Sequence, residues 1–265
     1  VASDFDHYTV SCTVSDTACA NFSLASVSTS SPQATTATST IFVAPTDNVA
    51  YVFSVSAIDA TGNAGVAAMK TVFVATRPVV INEVAWGGTS SSRSEDEWIE
   101  LFNITDYDIS LTNWVLRSIT DNAPYIHLAN TIAAKSYFVL ERTDDTTVSD
   151  VSANQIYTGA LGNSGEVLEL SYASASTSTS AMSSVPNGSP QATTTVDKTP
   201  AACGSSWCYG SAGSSYNTME RHDPYTSGDS QSNWGSWAGF GASSKNADNM
   251  AIHCTPARRN SLNYL

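Results

Sequence analysis

An all-β protein of two sandwich modules in tandem, the first incomplete, is the fold that this sequence predicts. Three observations carry the prediction. Short runs rich in β-branched, aliphatic and aromatic residues recur along the 265 residues with the alternation of strands. No stretch of useful length has a helical period. Two tracts of Ser, Thr, Ala, Pro and Gln, too polar to build a core, interrupt the runs, one in each half.

Composition narrows the function classes. Apolar residues make up 42% of the chain, enough for ordinary cores, whereas charged residues make up 13%, about half the usual share of about 25%. Hydroxyls and amides therefore do the solvating, as on extracellular β modules. The net charge is −13 and the pI about 4.4, a field that repels nucleic acid; the one tight basic pair, Arg258-Arg259, offers no patch to displace counterions. Nucleic acid is excluded as a partner. No apolar run approaches the roughly 20 residues of a membrane-spanning helix. The chain begins at Val1 without a basic-then-apolar leader, which reads as a processed chain or a fragment of a longer one. Cys12, Cys19, Cys203, Cys208 and Cys254 match no zinc framework, so disulfides are their expected use, with one thiol left free or bonded to another chain.

Residues 1–76 form the first expected unit. Tyr8, Val10, Cys12 and Val14 alternate with Thr9, Ser11 and Thr13 in a clean strand. Cys12 and Cys19 flank a hairpin with Ser15-Asp16-Thr17 as its turn, and are the first expected disulfide. Phe22-Ser23-Leu24 reads as a further short strand, Ser26 to Thr40 as a long loop, and order returns at Ile41-Phe42-Val43. In Ala50 to Asp59, Tyr51, Phe53, Val55 and Ala57 face one side. The string Tyr-x-Phe-x-Val-x-Ala-x-Asp…Gly-Asn resembles the penultimate strand and turn of bacterial fibronectin-type-III or immunoglobulin-like repeats. Asp59 and Asn63 fit turn chemistry better than calcium ligation at a module junction. A whole module of this type has about seven strands in about 100 residues; here the opening pair is missing.

The second expected unit, residues 77–265, opens with Val79 to Trp86 and Trp98 to Asn103, separated by a polar loop. Ile99 and Leu101 point one way and Trp98, Glu100 and Phe102 the other, which reads as a half-buried strand. Leu111 to Trp114 re-enters the core, and Tyr125 to Leu128, Ile132 to Glu141, Gln155 to Tyr157 and Gly165 to Leu170 supply further strands. A Ser/Thr-rich insertion occupies about 171–199. The order of these elements resembles the lamin-tail domain, an immunoglobulin-like β-sandwich of nuclear lamins and of many secreted bacterial proteins. Met219 to Pro224, Ser232-Asn233-Trp234 and Thr255-Pro256…Asn260 resemble the closing segment of the bacterial versions. Where those usually show Thr-Pro-Gly-Ala, this chain has Thr255-Pro256-Ala257-Arg258. The resemblance implies two immunoglobulin-like modules in tandem, and no chemistry.

Candidate reactive groups are few. His7, His127, His222 and His253 stand in unrelated contexts, and neither a nucleophile elbow nor a metal motif accompanies them. The acidic cluster Glu95-Asp96-Glu97…Glu100 and the pair Asp144-Asp145 are calcium candidates, but a solvated acidic face is the expected reading. Trp234 and Trp237 with Phe240 fit packing better than a sugar-stacking platform. Cys203 and Cys208 are the second expected disulfide, leaving Cys254 unpaired. The string Ser31-Pro32-Gln33-Ala34-Thr35-Thr36 recurs as Ser189 to Thr194, marking Ser31, Thr35, Thr36, Ser189, Thr193 and Thr194 as candidates for O-linked glycans. The N-glycan sequons at Asn21, Asn103 and Asn187 are weaker signals.

The expected function is structural and non-enzymatic: a secreted or cell-surface glycoprotein whose subunits polymerise into a fibre. A sandwich short of its opening strands exposes a groove that a neighbour's strand fills, as in strand donation. The expected donor is residues 2–14, with Phe5 as anchor and Tyr8, Val10, Cys12 and Val14 as its apolar face. The alternative is a lamin-tail binding or anchoring module of a larger secreted adhesin or of a multidomain enzyme. No cofactor is expected, calcium being the one candidate.

Overall fold

The computed structural model describes residues 4–15, 17–19, 33–35, 49–173, 193–213, 215–239 and 244–264. It divides into two compact units, Val1–Thr76 and Arg77–Leu265. Among the described residues regular structure is all strand, apart from two single-turn 3-10 helices at Gln231–Asn233 and Ser261–Tyr264. The protein is therefore all-β, with an immunoglobulin-like sandwich.

The first unit contributes one sheet. Its strands are β1 (Phe5–Val14), β2 (Thr17–Ala18), β3 (Gln33–Thr35), β4 (Val49–Asp59) and β5 (Ala68–Val74), in the order β2-β1-β4-β5 with β3 also against β1. Tyr8 lies opposite Ala57, Val10 opposite Val55 and Cys12 opposite Phe53, while Tyr51 lies opposite Val72 and Val49 opposite Val74. Because side chains alternate across a strand, this register collects every one of those residues on one face. Hydroxyl side chains such as Ser11, Ser54 and Ser56 take the other face. Cys12 and Tyr51 are its buried centre, with Val10, Val14, Val49, Phe53 and Val74 packed around them. The Cys12–Cys19 disulfide closes the β1–β2 hairpin.

One expectation for this unit is corrected, that Gln33–Thr35 is loop. Within a single copy β1 is an internal strand, bonded to β4 along one edge and to β2 and β3 along the other. Its apolar alternation matches that of β4 in register. Gln33–Thr35, expected within a loop, pairs antiparallel with Tyr8 to Val10. Phe22 to Leu24 and Ile41 to Val43 lie outside the described residues.

The second unit is a two-sheet sandwich. In chain order its strands are β6 (Val79–Ala85), β7 (Trp98–Asn103), β8 (Ile109–Ser110), β9 (Trp114–Ser118), β10 (Tyr125–His127), β11 (Thr131–Ile132), β12 (Tyr137–Arg142), β13 (Gln155–Tyr157), β14 (Leu168–Ala173), β15 (Thr193–Lys198), β16 (Met219–Arg221), β17 (Trp234–Ser236), β18 (Ser244–Lys245) and β19 (Ala251–Ile252). A six-stranded sheet, β13-β12-β7-β6-β16-β17, faces a four-stranded one, β10-β9-β14-β15. Between them Ile81, Ile99, Leu101, Phe138 and Leu140 meet Trp114, Leu116, Leu168 and Leu170 in one buried core.

The outer face of the six-stranded sheet is covered too. Ala85, Trp98 and Val139 on that face pack with Val148, Ile252 and Cys254. The half-buried reading of β7 is thus corrected: Trp98, Glu100, Ile99 and Leu101 are all buried. The acidic stretch is not a solvated face either, since Glu97 and Glu100 are inside whereas Glu95 is exposed. The C-terminal segment, laid across the sheet, turns the polar face of β7 into interior. The tract 171–199 is likewise not all loop. Its ends continue β14 and form β15, and Ser171, Asp197 and Thr199 are buried. Threonine is β-branched and suits a sheet once a partner strand is present.

Candidate functional site

The most unusual chemistry in the molecule lies where β7, β6 and β16 run side by side. Glu83 stands opposite Glu100 across β6–β7 and opposite Glu220 across β6–β16. Three glutamates thus form a row across three adjacent strands, each with no exposure to solvent. A bulge between Ile81 and Glu83 inserts Asn82 into β6. Asn82 Nδ2 donates to Glu100 Oε1 at 2.8 Å and to Asn260 Oδ1 at 2.9 Å. Asn260 Nδ2 in return donates to the carbonyls of Asn82 and Arg221.

The C-terminal segment supplies the remaining partners. Glu83 Oε1 accepts Thr218 Oγ1 at 2.5 Å and Thr255 N at 2.9 Å. Glu100 Oε2 accepts Ala257 N at 2.5 Å, and Glu220 Oε2 accepts Ser261 Oγ at 2.5 Å and Leu262 N at 3.3 Å. Burial, then the neighbouring charge of Glu220, pushes Glu83 up to about 8. Burial also pushes Glu100 well above the usual carboxylate range, and Glu220 upward. The row is sealed from substrate. What it can do is bind protons and hold residues 255–262 onto the sheet.

In the segment Met219 to Trp234, Arg221, Asp223 and Asn233 spend their side chains on internal bonds. Arg221, wholly buried, pairs with Asp197 of β15 at 2.6 Å and donates to the carbonyls of Ile81, at 2.8 Å, and Thr226, at 2.6 Å. Gly228 sits against that guanidinium, where a Cβ would collide with it and with the Lys198 carbonyl. Asp223 accepts Tyr225 N and Thr226 Oγ1, and Asn233 Nδ2 donates to the carbonyls of Asp223, Thr226 and Ser227. His222-Asp223 is therefore part of a turn. Trp234 is buried with Nε1 on the Gly228 carbonyl, and Trp237 stacks on His253; Phe240 lies outside the described residues.

The other sequence-derived sites fall as follows. Phe5, Tyr8, Val10, Cys12 and Val14 share β1, and Phe5 and Tyr8 line a cavity of about 390 Å³ with Asp4, Ala57, Asp59 and Asn63. Asp59 accepts bonds from both Thr61 and Asn63, through backbone and side chain, the turn chemistry expected of it. Among the described residues no group of three or more His, Cys, Asp or Glu is arranged to hold a metal ion. Cys12–Cys19 and Cys203–Cys208 are disulfides, and Cys254 is free and buried. Thr194 is exposed on β15. Ser31, Thr36 and Ser189 lie outside the described residues, and the side chains of Thr35 and Thr193 are likewise not described. Asn103 is buried with its amide donating to three carbonyls, which closes that sequon. No described helix is long and apolar enough to cross a membrane.

Sequence reasoning missed the glutamate row, although Glu83, Glu100, Glu220, Thr255 and Asn260 all stood in quoted motifs. The signal was there: one Glu in each of three strands whose neighbouring positions are buried marks a polar layer that something must cover.

Residues 74–194 match the family model described as Lamin Tail Domain. No curated protein matches the chain. Among solved structures a DUF4876 family protein from Bacteroides thetaiotaomicron VPI-5482 aligns at 10% identity and a TM-score of 0.28, over 66% of this chain and 65% of that one. The chain thus spans just under two thirds of that protein's length. Its second unit is built on a domain similar to the Lamin Tail Domain, an immunoglobulin-like β-sandwich.

Proposed function

We propose that this is a non-enzymatic structural protein, secreted or displayed at a cell surface, whose copies assemble into a fibre by exchanging strands between immunoglobulin-like modules. The observation that carries the reading is the single sheet of the first unit. Among the described residues no second sheet covers its apolar face, which runs from a buried centre at Cys12 and Tyr51 to exposed Val55 and Val72. Among the described strands β5 pairs with β4 alone, and a sheet edge is a template for another chain. Two disulfides suit an oxidising compartment, and the Ser/Thr tracts suit glycans.

Since β1 is paired within its own unit, the exchange is a swap: β1 of one copy takes the same register against β4 of the next. Such a contact is heterologous and propagates unless its rotation closes. Negative-stain microscopy of the purified protein should show filaments, and deletion of residues 1–10 should abolish them while the second unit stays folded. Filaments that survive the deletion would sink the reading. The confinement of the family match to residues 74–194 favours a second one, a lamin-tail binding or anchoring module of a larger secreted adhesin or multidomain enzyme. The intact mass of the native protein separates the two.

A further inference from the structure

In the glutamate row one hydroxyl serves two carboxyl groups. Thr255 Oγ1 lies 2.9 Å from Glu83 Oε2 and 2.8 Å from Glu220 Oε1. A hydroxyl has one proton to donate and otherwise only accepts. It can therefore satisfy one of these oxygens; the other keeps its distance only by bringing a proton of its own. Three carboxylates in register on neighbouring strands cannot all be ionised either, because like charges directly opposite repel. Glu83 is the middle member, with a carboxyl on each side.

We propose that the Glu83–Glu220 pair keeps one carboxyl proton as a structural component, held on Glu83 and shared with Glu220 through the Thr255 hydroxyl, and that this proton latches residues 255–262 onto the six-stranded sheet. In the sharing step Glu83 Oε2 gives its proton to Thr255 Oγ1 as Thr255 gives its own to Glu220 Oε1. One O–H bond breaks and one forms at each end, and the pair keeps a single negative charge. Removing the proton leaves two anions facing one hydroxyl, on the side chains that anchor Thr255, Ser261 and Leu262.

The groups facing Glu83 come from each element around it. They are Glu100 on β7, Glu220 on β16, and Cys254 of the C-terminal segment, whose thiol burial and then Glu83 push upward while Arg258 lowers it. Arg258 itself donates to Ser244 Oγ at 2.8 Å. Arg221 points to the opposite face, onto Asp197. A carboxyl raised on folding holds a proton that the open form releases. The latch is then tightest below the ordinary carboxylate pKa, weakens about tenfold per pH unit above it, and is spent once pH exceeds the folded value.

Cys254 is the reporter: a free thiol directly before Thr255, buried where the segment packs with Ala85, Trp98 and Val139, that reacts with an aromatic disulfide only when the segment lifts. Its labelling rate is measured from about pH 6 to pH 9 in the wild type, Glu83→Gln and Glu220→Gln. Glutamine places an N–H where the acid carried O–H, so each variant imitates one protonated form. The expected result is that the wild-type rate, divided by that of either variant, climbs at least tenfold across the range. Exchange of the Thr255, Ala257 and Leu262 amides should follow the same curve. A variant whose rate tracks the wild type at every pH overturns the proposal. So does failure of both variants to fold, because an amide would then not replace the acid.

Discussion

Ala257 has φ +57°, a left-handed conformation that costs an L-residue roughly 1–2 kcal/mol. The turn is required because it aims the Ala257 N–H at Glu100. This is the position at which similar bacterial sequences usually carry glycine, so the departure noted in the sequence has a local cost. Ala257→Gly should stabilise the protein by about 0.5–1 kcal/mol, the relief of strain less the entropy that glycine adds to the unfolded chain. Urea unfolding checks it, and a loss of stability would mean that the alanine methyl is worth more than the strain.

At the scale of elements, β1 is pinned by a covalent bond as well as by its ladder. Cys12 and Cys19 are seven residues apart, and closing so short a loop in the unfolded chain is worth about 2–3 kcal/mol. The double variant Cys12→Ser, Cys19→Ser should lose about that much from the first unit, seen as faster amide exchange in β4 and β5, with β6 and β7 unchanged. Equal loss in both units would mean that they unfold together. The second tract makes a complementary point. Thr193–Lys198 is a strand because Asp197 is needed inside, where Arg221 lies 2.6 Å away; removing one partner of such a pair strands a buried charge.

The whole molecule is tuned toward mild acid. Besides the row, burial pushes Glu97 up to about 7, Glu141 up to about 8 and Glu166 up to about 7. The native state therefore holds protons that the unfolded chain releases, and stability must fall as pH rises from about 4.5 through 8. The opposite sign belongs to Asp59 and Asp248, held low first by side-chain bonds from Asn63 and Arg93, and to Glu169, held low against its burial by Thr195 and Arg117; their contribution is lost only as pH falls through the depressed values. Thermal unfolding should thus give a maximum near pH 5 rather than near neutrality. A melting temperature flat from about pH 5 to pH 8 would show these carboxyls to be ionised in the native state.

The all-β class, the run of strands and the lamin-tail resemblance, which the family match carries over residues 74–194, were legible in the sequence, because alternation and turn chemistry are local and survive without knowledge of partners. The turn at Asp59 was legible for the same reason: the groups that donate to it are four residues away at most. What the strands face was not. Glu100 reads as a solvent-side residue until residues 244–264 lie across the sheet, and Thr193–Lys198 reads as loop until β14 offers an edge. Likewise, that β1 closes its own sheet depends on matching two registers about 45 residues apart. Alternation decides which residues share a face; only the tertiary structure decides whether that face meets water, another sheet or a second carboxylate.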